Sequence, residues 1–312
     1  MENFKAFIIN KSSISNLHNA IIFSKTSLFA DDTNILNSSH SLKKIQKRMN
    51  KDLKRLFKWL CANKISLNVA KTEVIIYRSK NKKIDHELKL KLNGKVLHIS
   101  EKVKYLGVIL DCFLSWDHHV NHVSKKLSRA NGAISKLRHM LPKTTLFSLY
   151  YALFASHLIY ACQIWAQNIN MNTNRVFKLQ KCAVRLLSFS DFNAHSSPIF
   201  HEHNLLKLPD IVKIKNLELT HKILNKKSPT EMTNSINLLL HSEFYDTRSR
   251  TLKLLKRPKC KTTKYGLNSI TYQSVIHWND LQLHYSDIDL TSLSMINIKK
   301  AATKYFLNQY LA

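Results

Sequence analysis

Apolar residues recur with two different periods along the chain, and the change from one to the other divides it. From Ser24 to about Asp111 the pattern is mixed. Residues 28–30, Asp31-Asp32 and Ile35-Leu36 predict a short apolar strand, a tight acidic turn and a second strand, which together make a hairpin. Ser38, Ser39 and Ser41 offer N-caps for a helix in which Leu42, Ile45, Met49, Leu53, Leu56 and Leu60 recur every three or four positions. Residues 72–77 are β-branched and apolar and predict a strand. Leu88, Leu90 and Leu92 alternate with Lys89 and Lys91, Asn93-Gly94 follows, and Val96, Leu97 and Ile99 continue, so a second hairpin is expected. Residues 103–110 predict one further strand. From His118 the period lengthens. Val120, Val123, Leu127, Ala130, Ile134, Leu137 and Leu141 predict one long helix ending before Pro142. Residues 146–161, 173–187, 211–224 and 295–310 predict further helices, whereas 190–209 and the basic stretch 247–264 read as irregular.

Composition narrows what this order can be. A length of 312 residues sets a soft expectation of about two domains. Hydrophobic residues are 44%, which excludes general disorder. Four glycines and five prolines argue against an all-β protein with many tight turns and against a Gly-rich phosphate loop. Lys and Arg total 49 against 20 for Asp and Glu, a formal charge of +29. That charge predicts affinity for polyanions that falls steeply with salt, with nucleic acid as the first partner and an anionic membrane surface as the alternative. The five cysteines are odd in number and widely spaced with no CxxC, which opposes a disulfide framework or a four-cysteine zinc site. With an N-terminal apolar run too short for a signal peptide, they fit a nuclear or cytoplasmic, non-secreted protein. Residues 144–174 hold no Asp, Glu, Lys or Arg and are long enough to span a bilayer. Ser148, Ser156, His157 and Gln163, with tyrosines in the middle of the run, favour a core helix instead.

The sharpest chemical feature is Asp31-Asp32. Two adjacent carboxylates repel at a tight turn unless the turn is solvated or a divalent cation sits between them. Two basic stripes follow: Lys44, Arg48, Lys51, Arg55 and Lys58 on one predicted helix, and Lys125, Lys126, Arg129, Lys136 and Arg138 on another. Each alone is an ordinary solvated face; with the overall charge, contact with a phosphate backbone by at least one of them is the favoured reading. His118, His119 and His122 at a helix start are expected on a solvated face. Cys182, His195, His201 and His203 lack the second cysteine of a zinc knuckle, so no zinc site is expected.

The residues around the acidic pair carry a family resemblance. Phe29-Ala30-Asp31-Asp32 resembles the catalytic box of reverse transcriptases, specifically of non-LTR, LINE-type retrotransposons of the jockey-like group. Leu67-Asn68-x-x-Lys71-Thr72 resembles their next palm motif, and Lys104-Tyr105-Leu106-Gly107-Val108 their KYLGV motif. Thr247-Arg248-Ser249, then Gly266, Ser269, Tyr272 and Trp278-Asn279, resemble the C-terminal TRS…G…S…Y…WN pattern. All occur in the family's order.

The resemblance implies an α+β fold: a partial palm over residues 1–115, a helical thumb over 116–190 and a basic, mostly helical C-terminal region over 191–312. It implies Mg²⁺-dependent, RNA-directed DNA polymerisation, a nucleotidyl transfer with an RNA template, a DNA primer and dNTPs as partners. Asp31 and Asp32 would be the metal ligands. Lys71, which otherwise reads as a surface lysine, would sit near the incoming nucleotide's phosphates. Tyr105 and Gly107, otherwise an ordinary strand with a glycine bulge, would form the primer grip. The family's palm needs another aspartate from an upstream strand; here 30 residues precede Asp31 and their one acid is Glu2. The expectation is therefore a truncated reverse transcriptase, inactive alone, with a non-catalytic nucleic-acid-binding remnant as the alternative. A missing strand would also leave Leu28, Phe29, Ile35 and residues 74–76 exposed.

Overall fold

A computed structural model describes residues 4–11, 20–30, 32–65, 72–84, 86–167, 171–236, 238 and 253–311. The chain forms two compact units, residues 1–119 and 120–312, and is α+β.

In the first unit, β1 (Phe4–Lys11), β2 (Lys25–Phe29), β3 (Asp32–Ser39) and β4 (Glu73–Tyr77) form an antiparallel sheet in the order β2-β3-β1-β4. Helix α1 (Leu42–Ala62) buries the six residues that its period singled out, Leu42 through Leu60. They pack with Ala6, Ile35, Val74 and Ile76. Because side chains alternate across a strand, Ile75 points the other way and packs with Val103 and Tyr105. The hairpin β5 (Lys91–Leu92) and β6 (Lys95–Val96) turns on Asn93 and Gly94, both at positive φ, as a two-residue turn requires. Two amides of α1 tie its edge down: Gln46 Oε1 accepts the Lys89 N–H at 2.7 Å and Asn50 Oδ1 accepts the Lys91 N–H at 2.8 Å.

Two expectations are overturned here. Residues 103–110 are not one strand but a hairpin, β7 (Lys102–Tyr105) and β8 (Val108–Asp111). Leu106 at φ 44° and Gly107 at φ 78° make the turn, so Gly107 is a turn residue and not a bulge. A leucine masks that turn in the sequence, since it meets the positive φ only at a cost. Nor are Ile35 and residues 74–76 exposed: they are 2, 0, 0 and 6% accessible. Strand β1 lies between β3 and β4, while α1 and the β7–β8 hairpin cover the faces. Of the residues expected to be exposed, Leu28 and Phe29 on β2, at the sheet edge, stay open, at 38 and 61%.

The second unit is helical. Its elements are α2 (Asp117–Leu137, whose first turn holds the boundary), α3 (Lys143–Leu149), a π-helical turn (Tyr150–Ala155), α4 (Ser156–Ile159), α5 (Cys162–Trp165), α6 (Met171–Ser188) and α7 (Ser196–Glu202). Then follow α8 (Leu208–Leu224), α9 (Thr230–Ile236), α10 (Ile270–His284) and α11 (Met295–Asn308). Helix α7 falls inside the stretch that reads as irregular. The helix expected over 146–161 stops at Tyr160, where the chain turns extended, and at Ala161, which is left-handed at φ 51°. Among the described residues no helix is long and apolar enough to cross a membrane.

Helix α8 packs against α10 and α11, with Ile214, Leu217, Val275, Trp278 and Phe306 in one core. The C-terminal motif residues serve this packing. Trp278 is fully buried. Asn279 makes two 2.8 Å bonds to the backbone of Leu255, accepting its N–H and donating to its carbonyl. Ser269 caps α10 by accepting the Tyr272 N–H at 3.3 Å. A Cβ on Gly266 would meet the Cys260 Cβ at 2.9 Å. Thr247, Arg248 and Ser249 lie outside the described residues.

Candidate nucleic-acid interface and acidic turn

The β2–β3 hairpin closes at Ala30, which takes φ 50°, and Asp32 opens β3, half-buried. Asp31 and Lys71 lie outside the described residues, as do Leu67 and Asn68. Across the ladders Asp32 stands opposite Phe29 of β2 and Lys11 of β1, and Thr33 opposite Asn10.

The hairpin β7–β8 brings a second motif to the same place. The Asn34 amide donates to the Tyr105 hydroxyl at 2.5 Å. Burial raises the Tyr105 phenol above its usual range; the Asn34 bond opposes this and the Asp32 charge adds to it. Asp32, Asn34 and Tyr105 therefore converge, although they come from motifs about 70 residues apart. Gly107 is exposed in its turn.

Mg²⁺ is bound by oxygens, typically carboxylates that converge on the ion. Among the described residues no three His, Cys, Asp or Glu side chains come together. The positions opposite Asp32 and Thr33 in β1 are a lysine and an asparagine, not carboxylates. The described residues do not fit a two-ion centre.

The basic stripe of α1 faces away from the core. Lys44, Lys51, Arg55 and Lys58 are exposed and Arg48 is half-buried; Lys43, Lys47 and Lys54 add to the same surface. Lys51 and Arg55 also lie over the Phe23 ring, 5.7 and 5.8 Å from its centroid. The one acid of the helix, Asp52, is turned inward and fully buried. It accepts the N–H groups of Ile22 (3.1 Å) and Phe23 (3.2 Å) and the Ser24 hydroxyl (2.7 Å). The outer face thus carries cations alone, and the loop leading into β2 is pinned. Sequence reasoning missed Asp52; the signal was a single acid at an apolar-face position, next to Leu53.

On α2, Lys125, Arg129 and Lys136 are exposed and Lys126 is half-buried, as is Arg138 just past its end, and within the helix no acid follows Asp117. His118 is exposed, but His119 is buried, and its Nδ1 accepts the Ile109 N–H at 3.3 Å. The expectation of a solvated histidine face fails there, because His119 joins the helix start to β8. Asp111 completes that joint by accepting the N–H groups of Phe113, Ser115 and Trp116.

No protein-family model matches the chain. Among curated proteins it is similar to the RNA-directed DNA polymerase from mobile element jockey of Drosophila melanogaster, 22% identical over 233 residues. That match covers 73% of this chain and 25% of the relative. The protein of the same name from Drosophila funebris is 21% identical over 258 residues, 81% of this chain and 27% of that one. The chain is related to the reverse transcriptases of non-LTR, LINE-type elements. It spans about a quarter of the length of these relatives. In this chain Asn34, beside the acidic turn, bonds to Tyr105, and the apolar face of α1 packs on the same sheet while its cations point outward.

Proposed function

We propose that the chain corresponds to a portion of an RNA-directed DNA polymerase and holds an RNA template and DNA primer. In this reading the first unit contains palm elements and α2 belongs to the thumb. The observation that carries the proposal is the outer face of α1, which bears eight cations and no acid on the helix that backs the Asp32 strand. Such a face takes phosphates without reading bases, so binding has little sequence preference. Tyr105 and Gly107 are assigned to the primer end, Asp31 and Asp32 to Mg²⁺ and Lys71 to the dNTP phosphates. Lys125, Lys126, Arg129, Lys136 and Arg138 form a second phosphate-contacting stripe.

The register of β1 favours a non-catalytic role for the chain alone. Two-metal transfer needs carboxylates from more than one strand, and the β1 positions paired with Asp32 and Thr33 are Lys11 and Asn10. The test has two parts. Replacing Lys44, Arg48, Lys51, Arg55 and Lys58 with Gln flattens the plot of log K against log salt, by up to about 3.5 on single strands if all five touch phosphates. An unchanged slope moves the contacts elsewhere. Primer extension on an RNA template gives no product with Mg²⁺ or Mn²⁺; product that vanishes on Asp31→Ala overturns the non-catalytic reading.

A further inference from the structure

The segment just after α6 carries two exposed phenylalanines that neither the acidic turn nor the basic stripes explain. The Ser190 N–H reaches back to the Arg185 carbonyl at 3.1 Å, the closure that places the intervening residue in the left-handed region, normally a glycine. Here that residue is Phe189, at φ 57°. A side chain there is held at a conformational cost, and half of it stays open to solvent: Phe189 is 50% exposed. Phe192, three residues on, is 79% exposed, and Met140 is 76% exposed. The Phe189 ring is also set in place. Arg138 lies over it at 5.8 Å, and His139 stands edge-on with centroids 5.9 Å apart. The Arg138 Nε–H donates to the His139 ring at 3.0 Å, which couples the two supports.

We infer that Phe189 and Phe192 form a stacking platform for unpaired bases of single-stranded nucleic acid. The inference rests on the nucleic-acid reading above and adds a base-contacting site to it. The charge of the two segments that carry these residues favours this occupant. In residues 130–143 and 183–195 there are four cations, Lys136, Arg138, Lys143 and Arg185, against one acid, Asp191. A phosphate chain is thus attracted while its bases meet open rings, the arrangement by which single strands are held without sequence preference. A docked protein with an apolar face is the competing occupant, and it would ignore whether a strand carries bases.

The experiment compares the full chain's affinity for a fluorescent oligo-dT and for an abasic strand of equal length and charge, by anisotropy. The wild type should prefer oligo-dT by about tenfold per stacked base. A Phe189→Gly, Phe192→Ser variant should lose that preference and keep its affinity for the abasic strand. Phe189→Gly relieves the left-handed strain, so a melting temperature equal to or above the wild type's verifies the fold. If neither strand binds, the nucleic-acid reading falls and the platform with it. Equal binding of both strands by the wild type overturns the platform alone. So does a preference that survives in the variant, and so does an equal loss for both strands.

Discussion

Removing the Asp52 carboxylate should loosen the hairpin that carries the acidic turn. Asp52 is fully buried, and its oxygens accept two backbone N–H groups and the Ser24 hydroxyl. From the other side, Asn37 of β3 donates to the Phe23 carbonyl at 2.9 Å and to Ser24 Oγ at 3.1 Å. The loop ahead of β2 is therefore clamped between α1 and β3. Hydrogen bonds to a charged group contribute about 1.5–3 kcal/mol each. They do not add in full, because Ile22 and Phe23 are open to solvent, at 64 and 41%, and water reaches their freed amides. The expected loss for Asp52→Ala is about 3 kcal/mol, and somewhat less for Asp52→Asn, which keeps one accepting oxygen. Hydrogen exchange read by mass spectrometry on the β2 and β3 peptides measures it. At about 1.4 kcal/mol per factor of ten, exchange there should speed up by roughly 100-fold. Glu87→Ala, which removes an exposed pair with Lys89 at 3.1 Å, is the control and should change nothing. Exchange within twofold of wild type in Asp52→Ala would show that the clamp does not hold the hairpin.

Two further outcomes test other parts of the fold. Burial, and secondarily the Lys213 charge, lower the His277 imidazole to about 4, and its Nδ1 lies 3.1 Å from the Asn216 amide, which donates to the neutral ring. Stability from this group is complete above about pH 6.5. It falls as the pH drops toward 4, because the unfolded chain then takes up a proton that the folded one does not, a loss of about 2–3 kcal/mol. Denaturant melts at pH 7 and pH 4.5 should show it, and His277→Gln should reduce the difference. In the β7–β8 turn, Leu106→Gly should stabilise the chain by about 1 kcal/mol, since glycine takes φ 44° without strain; a lower melting temperature would mean that the Leu106 side chain packs enough to outweigh its strain.

The readable parts of the sequence were those set by local rules. The six apolar positions of α1 are all buried because one helix face meets one sheet, and Asn93-Gly94 makes its turn because both residues tolerate positive φ. The failures have equally local causes. Helix α10 shows no clean apolar stripe because Ser274, Asn279 and Gln282 are buried among its apolar residues, satisfied by backbone partners in the case of Asn279 and Gln282. Asp52 looks like one more charge on a charged helix until its direction is known. The place of β1 follows from pairing with β3 and β4, which no periodicity in residues 4–11 announces. At the candidate site, the approach of Tyr105 to Asn34 was implied only by two motifs sharing a family, and the geometry of Asp31 and Lys71 lies outside the described residues.

The position of β1 also separates fold from chemistry. To bury Ile35 and Val74 beside α1, the sheet needs an apolar strand of the right length between β3 and β4, and many sequences meet that demand. A two-ion metal centre would be more exacting, because it needs oxygen ligands converging from more than one element. Strand β1 fills the first requirement with Ala6 in the core, and it has Asn10 and Lys11 at the register positions opposite Thr33 and Asp32. The cations of α1 and the Tyr105–Asn34 contact need only the sheet. Under the proposed reading, phosphate contact by α1 asks only for the sheet it packs on, whereas two-metal chemistry would ask for carboxylates that packing does not select.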